Sequence, residues 1–117
     1  MTLWEYRADV EEVIDADTID VRVDFGFYTY KSVRVRLYGV DTHEIYGGTP
    51  KDSEEYQRGM EEKRFVESFI NDADTITVRT TKDEKDTFGR WLGYVFVDGE
   101  SLNERLKEEF DGVAHDG

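Results

Sequence analysis

The sequence predicts a mainly β fold with helices, of the α+β class, on three observations. Apolar and polar residues alternate with period two in several short segments, which is typical of half-buried strands. One longer segment near the middle instead repeats its apolar residues at helical spacing. Turn signals such as Asp24-Phe25-Gly26-Phe27 and Asp98-Gly99 separate the strand segments. An apolar fraction of 38 % supplies enough material for one packed core.

Three antiparallel strands are expected in the first third of the chain. The region 4–23 is rich in β-branched and aromatic residues, and its part 19–23 alternates strictly. Asp15-Ala16-Asp17 falls where the first two strands would meet. In the third segment, 32–38, aliphatic residues alternate with Arg34, Arg36 and Tyr38. Each strand therefore has one face for the core and one for solvent.

A long helix is expected after the third strand. The Gly-Gly-Thr-Pro sequence within 46–52 predicts a loop, and Asp52 or Ser53 is a suitable N-cap for a helix that runs to about Asn71. The apolar residues of this helix lie mostly on one face, which we expect to pack on the sheet. They are Tyr56, Met60, Phe65, Val66, Phe69 and Ile70.

Two further strands and a short helix complete the pattern. Strands are predicted at 75–81 and 90–97, separated by the charged loop 82–89, and Ser101 with Glu104 forms a capping box. Five short strands with a helix between the third and fourth match the OB-fold, a five-stranded Greek-key barrel. We predict this barrel, with one long helix and a short C-terminal helix, as a single domain over 1–117. An open α+β sheet is the alternative.

The net charge of −13, from 28 acidic and 15 basic residues, is the most unusual feature of the composition. Such a charge repels polyanions at low ionic strength and counts against nucleic-acid binding. We favour adaptation to high salt, where excess surface carboxylates are screened, over an acidic interaction surface. An acidic domain with no partner implied is the remaining interpretation.

Other features limit the localisation and the metal chemistry. Cysteine is absent, so any metal must be held by oxygen or by His43 and His115. No apolar run is long enough for a membrane span, and the start of the chain lacks the pattern of a signal peptide. From the chain as given we expect a soluble monomer, cytoplasmic or virus-encoded, that does not contact a membrane. The sequence identifies no protein partner.

Three short segments, 15–18, 36–44 and 86–90, place acidic or arginine side chains beside strand ends, where functional sites are usually built. Singly, each has a structural explanation: aspartates suit turns, and Arg36 or Arg90 could cover apolar surface with its stem. Together they supply carboxylates for a hard cation, a base for water and cations for phosphate. Phosphodiester hydrolysis requires these three kinds of group.

The order and spacing of these segments resemble the staphylococcal nuclease-like, or thermonuclease, family. The resemblance spans most of the chain and rests on Val13-Ile14-Asp15-Ala16-Asp17-Thr18-Ile19, on the segment 35–44, on Phe88-Gly89-Arg90, and on Asp98-Gly99 followed by Leu102-Asn103. It implies an OB-fold and a calcium-dependent endonuclease or exonuclease that acts on DNA and/or RNA.

The resemblance also implies a role for each matching residue. The ligands of Ca²⁺ would be the carboxylates of Asp17 and Asp41 and the backbone carbonyl of Thr42. Glu44 would be the general base that activates the attacking water. The scissile phosphate would be bound, and its transition state stabilised, by Arg36 and Arg90.

The substrate pocket departs from the family pattern. We expect Phe88 and Tyr46 to contact the substrate beside the two arginines. Base stacking is expected to come from Tyr46 or Trp91, or to be largely absent. Thr87 and Phe88 stand where well-known members carry Lys and Tyr, which predicts weaker recognition of a terminal phosphate. His43 stands where the family usually has proline, so a rigid turn before Glu44 is lost. We interpret His43 as structural rather than as a metal ligand or an acid.

A noncatalytic OB-fold module that binds nucleic acid or protein is the alternative function. The acidic charge and the substitutions before Arg90 favour it. A degenerate module would have lost at least one of five residues, and all five are present. They are Asp17, Arg36, Asp41, Glu44 and Arg90. The sequence therefore predicts the nuclease.

Overall fold

The computed structural model describes residues 3–43, 45, 50–85, 91–110 and 113, in which two helices accompany the strands. Helix α1 lies between the third and fourth strands, as predicted, and a two-residue strand precedes the short helix α2. No helix within these ranges has the length and apolarity needed to cross a membrane. The elements are β1 (Leu3–Asp15), β2 (Thr18–Asp24), β3 (Tyr30–Leu37), α1 (Glu54–Asn71), β4 (Ile76–Lys85), β5 (Trp91–Val97), β6 (Glu100–Ser101) and α2 (Leu102–Glu109).

The first five strands close into a barrel. Antiparallel ladders join β1 to β2, β2 to β3, β1 to β4 and β4 to β5. A parallel ladder between β3 and β5, with Arg36 opposite Leu92, completes the circuit. Closure pairs backbone groups that an open sheet leaves free at its edges. The predicted OB-fold is therefore confirmed, and the open sheet is wrong.

Aliphatic side chains fill the barrel and its contact with the helices. Val35 and Val95 are fully buried inside the sheet, Val66 is buried on α1, and Leu102 and Leu106 are buried on α2. Full burial of an aliphatic side chain of this size stabilises the fold by about 1.5 to 3 kcal/mol. These contacts hold both helices against the barrel, and α1 packs beside the strand ends that carry the candidate site.

The ends of the helices agree with the sequence, whereas one strand is longer than predicted. The Ser53 hydroxyl accepts a hydrogen bond from the Tyr56 N–H at 3.1 Å, and Ser101 accepts one from Glu104 at 3.2 Å. Strand β4 runs to Lys85, so 82–85 is strand rather than loop. Lys85 in this charged segment pairs with Trp91 of β5 after a register shift, which side-chain alternation cannot reveal.

Candidate active site

One end of the barrel brings together two of the three segments that the sequence singled out. Asp17 lies in the turn between β1 and β2, and its carbonyl accepts a hydrogen bond from the Leu37 N–H at 2.8 Å. Thr18 pairs with Arg36 across the β2–β3 ladder. Gly39, in the turn that follows β3, has a φ of 77°, a left-handed conformation that suits glycine. Strand pairing and this turn therefore bring the segment 38–43 close to Asp17.

A buried asparagine holds the same turn from helix α2. The Nδ2 group of Asn103 donates to the carbonyls of Tyr38 at 2.9 Å and Gly93 at 3.2 Å. Its Oδ1 accepts from the Val95 N–H at 3.1 Å. A fully buried amide needs such partners, because an unpaired polar group in the core is costly. Asn103, one of the residues on which the family resemblance rests, thus stabilises the turn beside the candidate site.

Arg36 connects two carboxylates from different segments. Its Nη1 donates to the carbonyl of Leu37 at 2.9 Å and to that of Val40. Its Nη2 lies 3.5 Å from Asp17 Oδ2 and 3.5 Å from Asp41 Oδ1. Two backbone carbonyls therefore accept hydrogen bonds from Nη1 of the guanidinium, and the two carboxylates lie beside Nη2. A lysine ammonium cannot reproduce this fork.

Asp17 is a buried carboxylate with a hydrogen bond to each oxygen. Thr18 Oγ1 donates to Oδ1 at 2.9 Å, and the Thr42 N–H donates to Oδ2 at 3.0 Å. Burial by itself would raise the pKa of Asp17, but a hydrogen bond from Asp15, that of the Thr42 N–H, the charge of Arg36 and the Thr18 hydroxyl together lower it. The site therefore contains an ionised carboxylate near neutral pH.

Asp15 is a partner of this site to which the sequence analysis assigned no role. Its pKa is raised to about 7, because burial disfavours its charge and because it shares a hydrogen bond with the negatively charged Asp17. Its Oδ1 also accepts from the Asp17 N–H at 3.2 Å. A carboxyl that keeps its proton allows two acidic groups to share one turn. The Asp-x-Asp spacing was the available signal, but spacing does not show which aspartate is ionised.

Asp41 and Thr42 occupy the loop beyond Arg36. The Asp41 side chain is 64 % exposed, while its N–H donates to the Val113 carbonyl at 2.7 Å, so the backbone is anchored and the carboxylate is open to solvent. The Thr42 hydroxyl oxygen is buried without a hydrogen-bond partner. Across 3–43, 45, 50–85, 91–110 and 113, no group of three or more His, Asp or Glu side chains is arranged to hold a metal ion. Asp17 and Asp41 provide two carboxylates.

Several predicted site residues lie outside the described residues, so their roles stay predictions. Trp91, the alternative stacking residue, is described, and it is partly buried against the core in a groove shared with Tyr6 and Phe25. The predicted residues that lie outside are Glu44, Tyr46, Phe88 and Arg90, together with Thr87 and His115.

His43 is attached to helix α1 through a glutamate that sequence reasoning missed. The His43 N–H donates to Glu62 Oε1 at 2.8 Å, and the ring Nδ1 lies 2.9 Å from Oε2. Glu62 is only 2 % exposed. These contacts fit the structural interpretation of His43. The available signal was an acidic residue four positions before Val66, on the apolar face of the helix.

Comparisons with known proteins agree with this fold. Residues 34–115 match the family model described as staphylococcal nuclease homologue. The chain is 30 % identical over 105 residues to the endonuclease YhcR of Bacillus subtilis (strain 168), which covers 87 % of this chain and 8 % of that protein. It is 36 % identical over 106 residues to the thermonuclease of Staphylococcus hyicus, covering 90 % of this chain and 57 % of that protein.

A second thermonuclease, from Staphylococcus intermedius, is 33 % identical over 101 residues, or 86 % of this chain and 54 % of that protein. The chain thus spans little more than half the length of these thermonucleases and less than a tenth of the endonuclease. The family match covers more than half of this chain and includes Arg36 and Asp41. The chain therefore belongs to the staphylococcal nuclease homologue family.

Proposed function

We propose that this chain is a calcium-dependent nuclease that hydrolyses phosphodiester bonds of DNA and/or RNA. The observation that carries the proposal is the convergence of Asp17 and Asp41 on one guanidinium nitrogen of Arg36, each at 3.5 Å. Membership of a nuclease family supports the reaction class. The relatives, an endonuclease and thermonucleases, point to the same reaction class.

The donor set at this site suits a hard cation. Ca²⁺ accepts six to eight oxygen ligands at about 2.3 to 2.6 Å in flexible geometry. Asp17 and Asp41 would supply carboxylate oxygens, and Thr42 would supply its backbone carbonyl. One guanidinium neutralises only one of the two carboxylates, so a further cation beside them is electrostatically favoured. Three protein ligands leave positions for water and for a phosphate oxygen.

Each residue of the proposed site has one task. Glu44 accepts the proton of the attacking water, which requires it to lie within hydrogen-bonding reach of that water. Arg36 and Arg90 bind the scissile phosphate and neutralise the charge that develops in the transition state. Bound Ca²⁺ would supply Lewis-acid polarisation of a phosphate oxygen. Asp15, whose pKa is raised to about 7, supports the ionised Asp17 by hydrogen bonding while it is protonated.

A single assay tests the function and its metal dependence. Supercoiled plasmid DNA and a single-stranded RNA are incubated with the protein in Ca²⁺, in Mg²⁺ and in EDTA, each at low and at molar salt. We expect cleavage with Ca²⁺ and none with EDTA. Turnover that EDTA leaves unchanged would contradict the metal role.

The general base is tested by Glu44→Gln. We expect the rate to fall by about 10²- to 10⁴-fold, because glutamine cannot accept the proton. Calorimetric titration should still detect Ca²⁺ binding, because Glu44 is not a proposed ligand. Full activity in this variant would refute the assignment of Glu44.

A noncatalytic module that binds nucleic acid or protein is the second candidate. The net charge of −13 favours its protein-binding form over an enzyme that acts on polyanions, because the charge repels nucleic acid. Binding to DNA or RNA without turnover under every ionic condition of the assay would support this module and reject the nuclease.

A further inference from the structure

We propose that Glu62 is a positioning residue that holds His43 against helix α1 and thereby restrains the segment 43–45, which contains the proposed base Glu44. The inference rests on the proposed nuclease function, because it concerns the residue that activates water in that reaction. Glu62 itself does not contact the substrate. It acts through His43, the residue that precedes the base.

The contacts of Glu62 go to one residue of that segment. One carboxylate oxygen accepts the His43 N–H at 2.8 Å, and the other lies 2.9 Å from the His43 ring nitrogen Nδ1. Two bonds to the backbone and side chain of the same residue restrain both its position and its rotamer. Glu62 is 2 % exposed, and burial of a carboxylate is costly unless it is hydrogen-bonded. An apolar residue would serve simple packing better at this position.

Gly59, one turn earlier on α1, brings the helix against the same segment. A β-carbon at residue 59 would come within 2.7 Å of the His43 carbonyl oxygen, and it would also collide with Ile45 Cγ2. Ile45 is itself buried, with 6 % exposure. His43 and Ile45, which precede and follow the proposed base in the chain, therefore both lie against α1. In the proposal, these two contacts restrain the base between them.

The contact between His43 and Glu62 restrains the chain through hydrogen bonds to a helix. His43 has no ring that fixes its own φ, as proline has, so its position depends on such contacts. A general base needs this precision, because a displacement of about 1 Å can cost about 10²-fold in rate.

The test compares Glu62→Ala and Glu62→Gln with a matched control, Glu61→Ala, which removes an exposed glutamate from the adjacent helix position. Initial rates of DNA cleavage at saturating Ca²⁺ give kcat and KM. Amide hydrogen exchange measured by NMR reports on the His43 N–H, and thermal melts report on folding. The exchange measurement does not depend on activity.

Glu62→Ala should lower kcat by about 10- to 100-fold and leave KM within about twofold, since it displaces the base without removing substrate contacts. The His43 amide should exchange faster. Glu62→Gln should keep most of kcat, because its carbonyl can accept the His43 N–H while its amino group faces Nδ1 of a neutral imidazole. Glu61→Ala should behave as the wild type.

Three results would overturn the positioning role: an unchanged kcat in folded Glu62→Ala, an increase confined to KM, or an equal loss in Glu62→Gln. If Glu62→Ala does not fold, Gly59→Ala takes its place, because alanine favours the helix but must push His43 away. Full kcat in Gly59→Ala would also reject the inference. An inactive wild type would reject the nuclease, and unchanged His43 exchange in Glu62→Ala would separately reject the anchor.

Discussion

One end of the β2–β3 hairpin, where β2 begins and β3 ends, lies at the candidate site. There Asp17 and Arg36 are mostly buried, with side-chain exposures of 11 % and 16 %. At the opposite end, the tip of the hairpin, Phe27 and Tyr28 are 98 % and 95 % exposed. Charged side chains are buried at one end, and aromatic side chains are exposed at the other. Alternation therefore decides burial in the middle of the hairpin, whereas specific partners decide it at the ends.

The two ends also differ in what keeps them in place. Around the candidate site, the side chains of Asp17 and Arg36 bond to backbone groups of the segment 37–42. At the tip, by contrast, Gly26, Phe27 and Tyr28 have φ values of 83°, 56° and 61°. A left-handed conformation costs a residue other than glycine roughly 1 to 2 kcal/mol. Two backbone hydrogen bonds of 2.9 Å between 25–26 and Thr29 close this turn.

The largest expected effect is at the site end. Arg36→Lys should lower kcat by about 10²- to 10³-fold, because an ammonium cannot contact the turn carbonyls and both carboxylates while binding phosphate. The matched control is Arg34→Lys on the same strand, where the arginine is exposed and pairs with Asp20 at 2.7 Å. That variant should keep wild-type kcat. Nearly full activity in Arg36→Lys would show that Arg36 is only structural.

An intermediate effect is expected from pH. Because the folded-state pKa of Asp15, about 7, lies above its ordinary value of 3.8, its proton stabilises the fold below the ordinary value, and this contribution is lost as pH rises through about 7. The pKa of Asp17 is lowered, so its contribution is present above 3.8 and is lost on acidification through its folded-state pKa.

Asp15→Asn should therefore remove part of the decline in stability between about pH 4 and pH 7. The measurement is urea unfolding in EDTA across that range for both proteins. If the free energy of unfolding changes with pH in the same way in the wild type and the variant, the hydrogen bond that Asp15 and Asp17 share is contradicted.

The smallest effect is expected at the tip. Tyr28→Gly should raise the free energy of unfolding by up to about 1 kcal/mol, because glycine adopts the left-handed conformation without strain. Phe25→Gly is the matched comparison, and it should lower stability, since the Phe25 ring packs edge-on against Tyr6 at 5.1 Å between centroids. Nuclease activity should be unchanged in Tyr28→Gly. A loss of stability there would mean that the exposed ring has contacts that strengthen the tip.

The comparison also shows where prediction from sequence succeeds. Alternation along β3 and the caps at Ser53 and Ser101 follow from neighbours within a few residues, and the structure confirms them. The end of β4 could not be predicted, because it depends on the pairing of Lys85 with Trp91 of β5 after a register shift. The roles of Glu44 and Arg90 come from a resemblance and stay predictions.

Local spacing and residue type were enough to predict the strand periods, the helix caps and the candidate residues of the site. The meeting of Asp17 and Asp41 at Arg36, the raised pKa of Asp15 and the contact between Glu62 and His43 follow only from the three-dimensional arrangement. Each of these depends on burial and on contacts between segments far apart in the chain. Such contacts set the electrostatic environment of a group, which spacing along the chain does not contain.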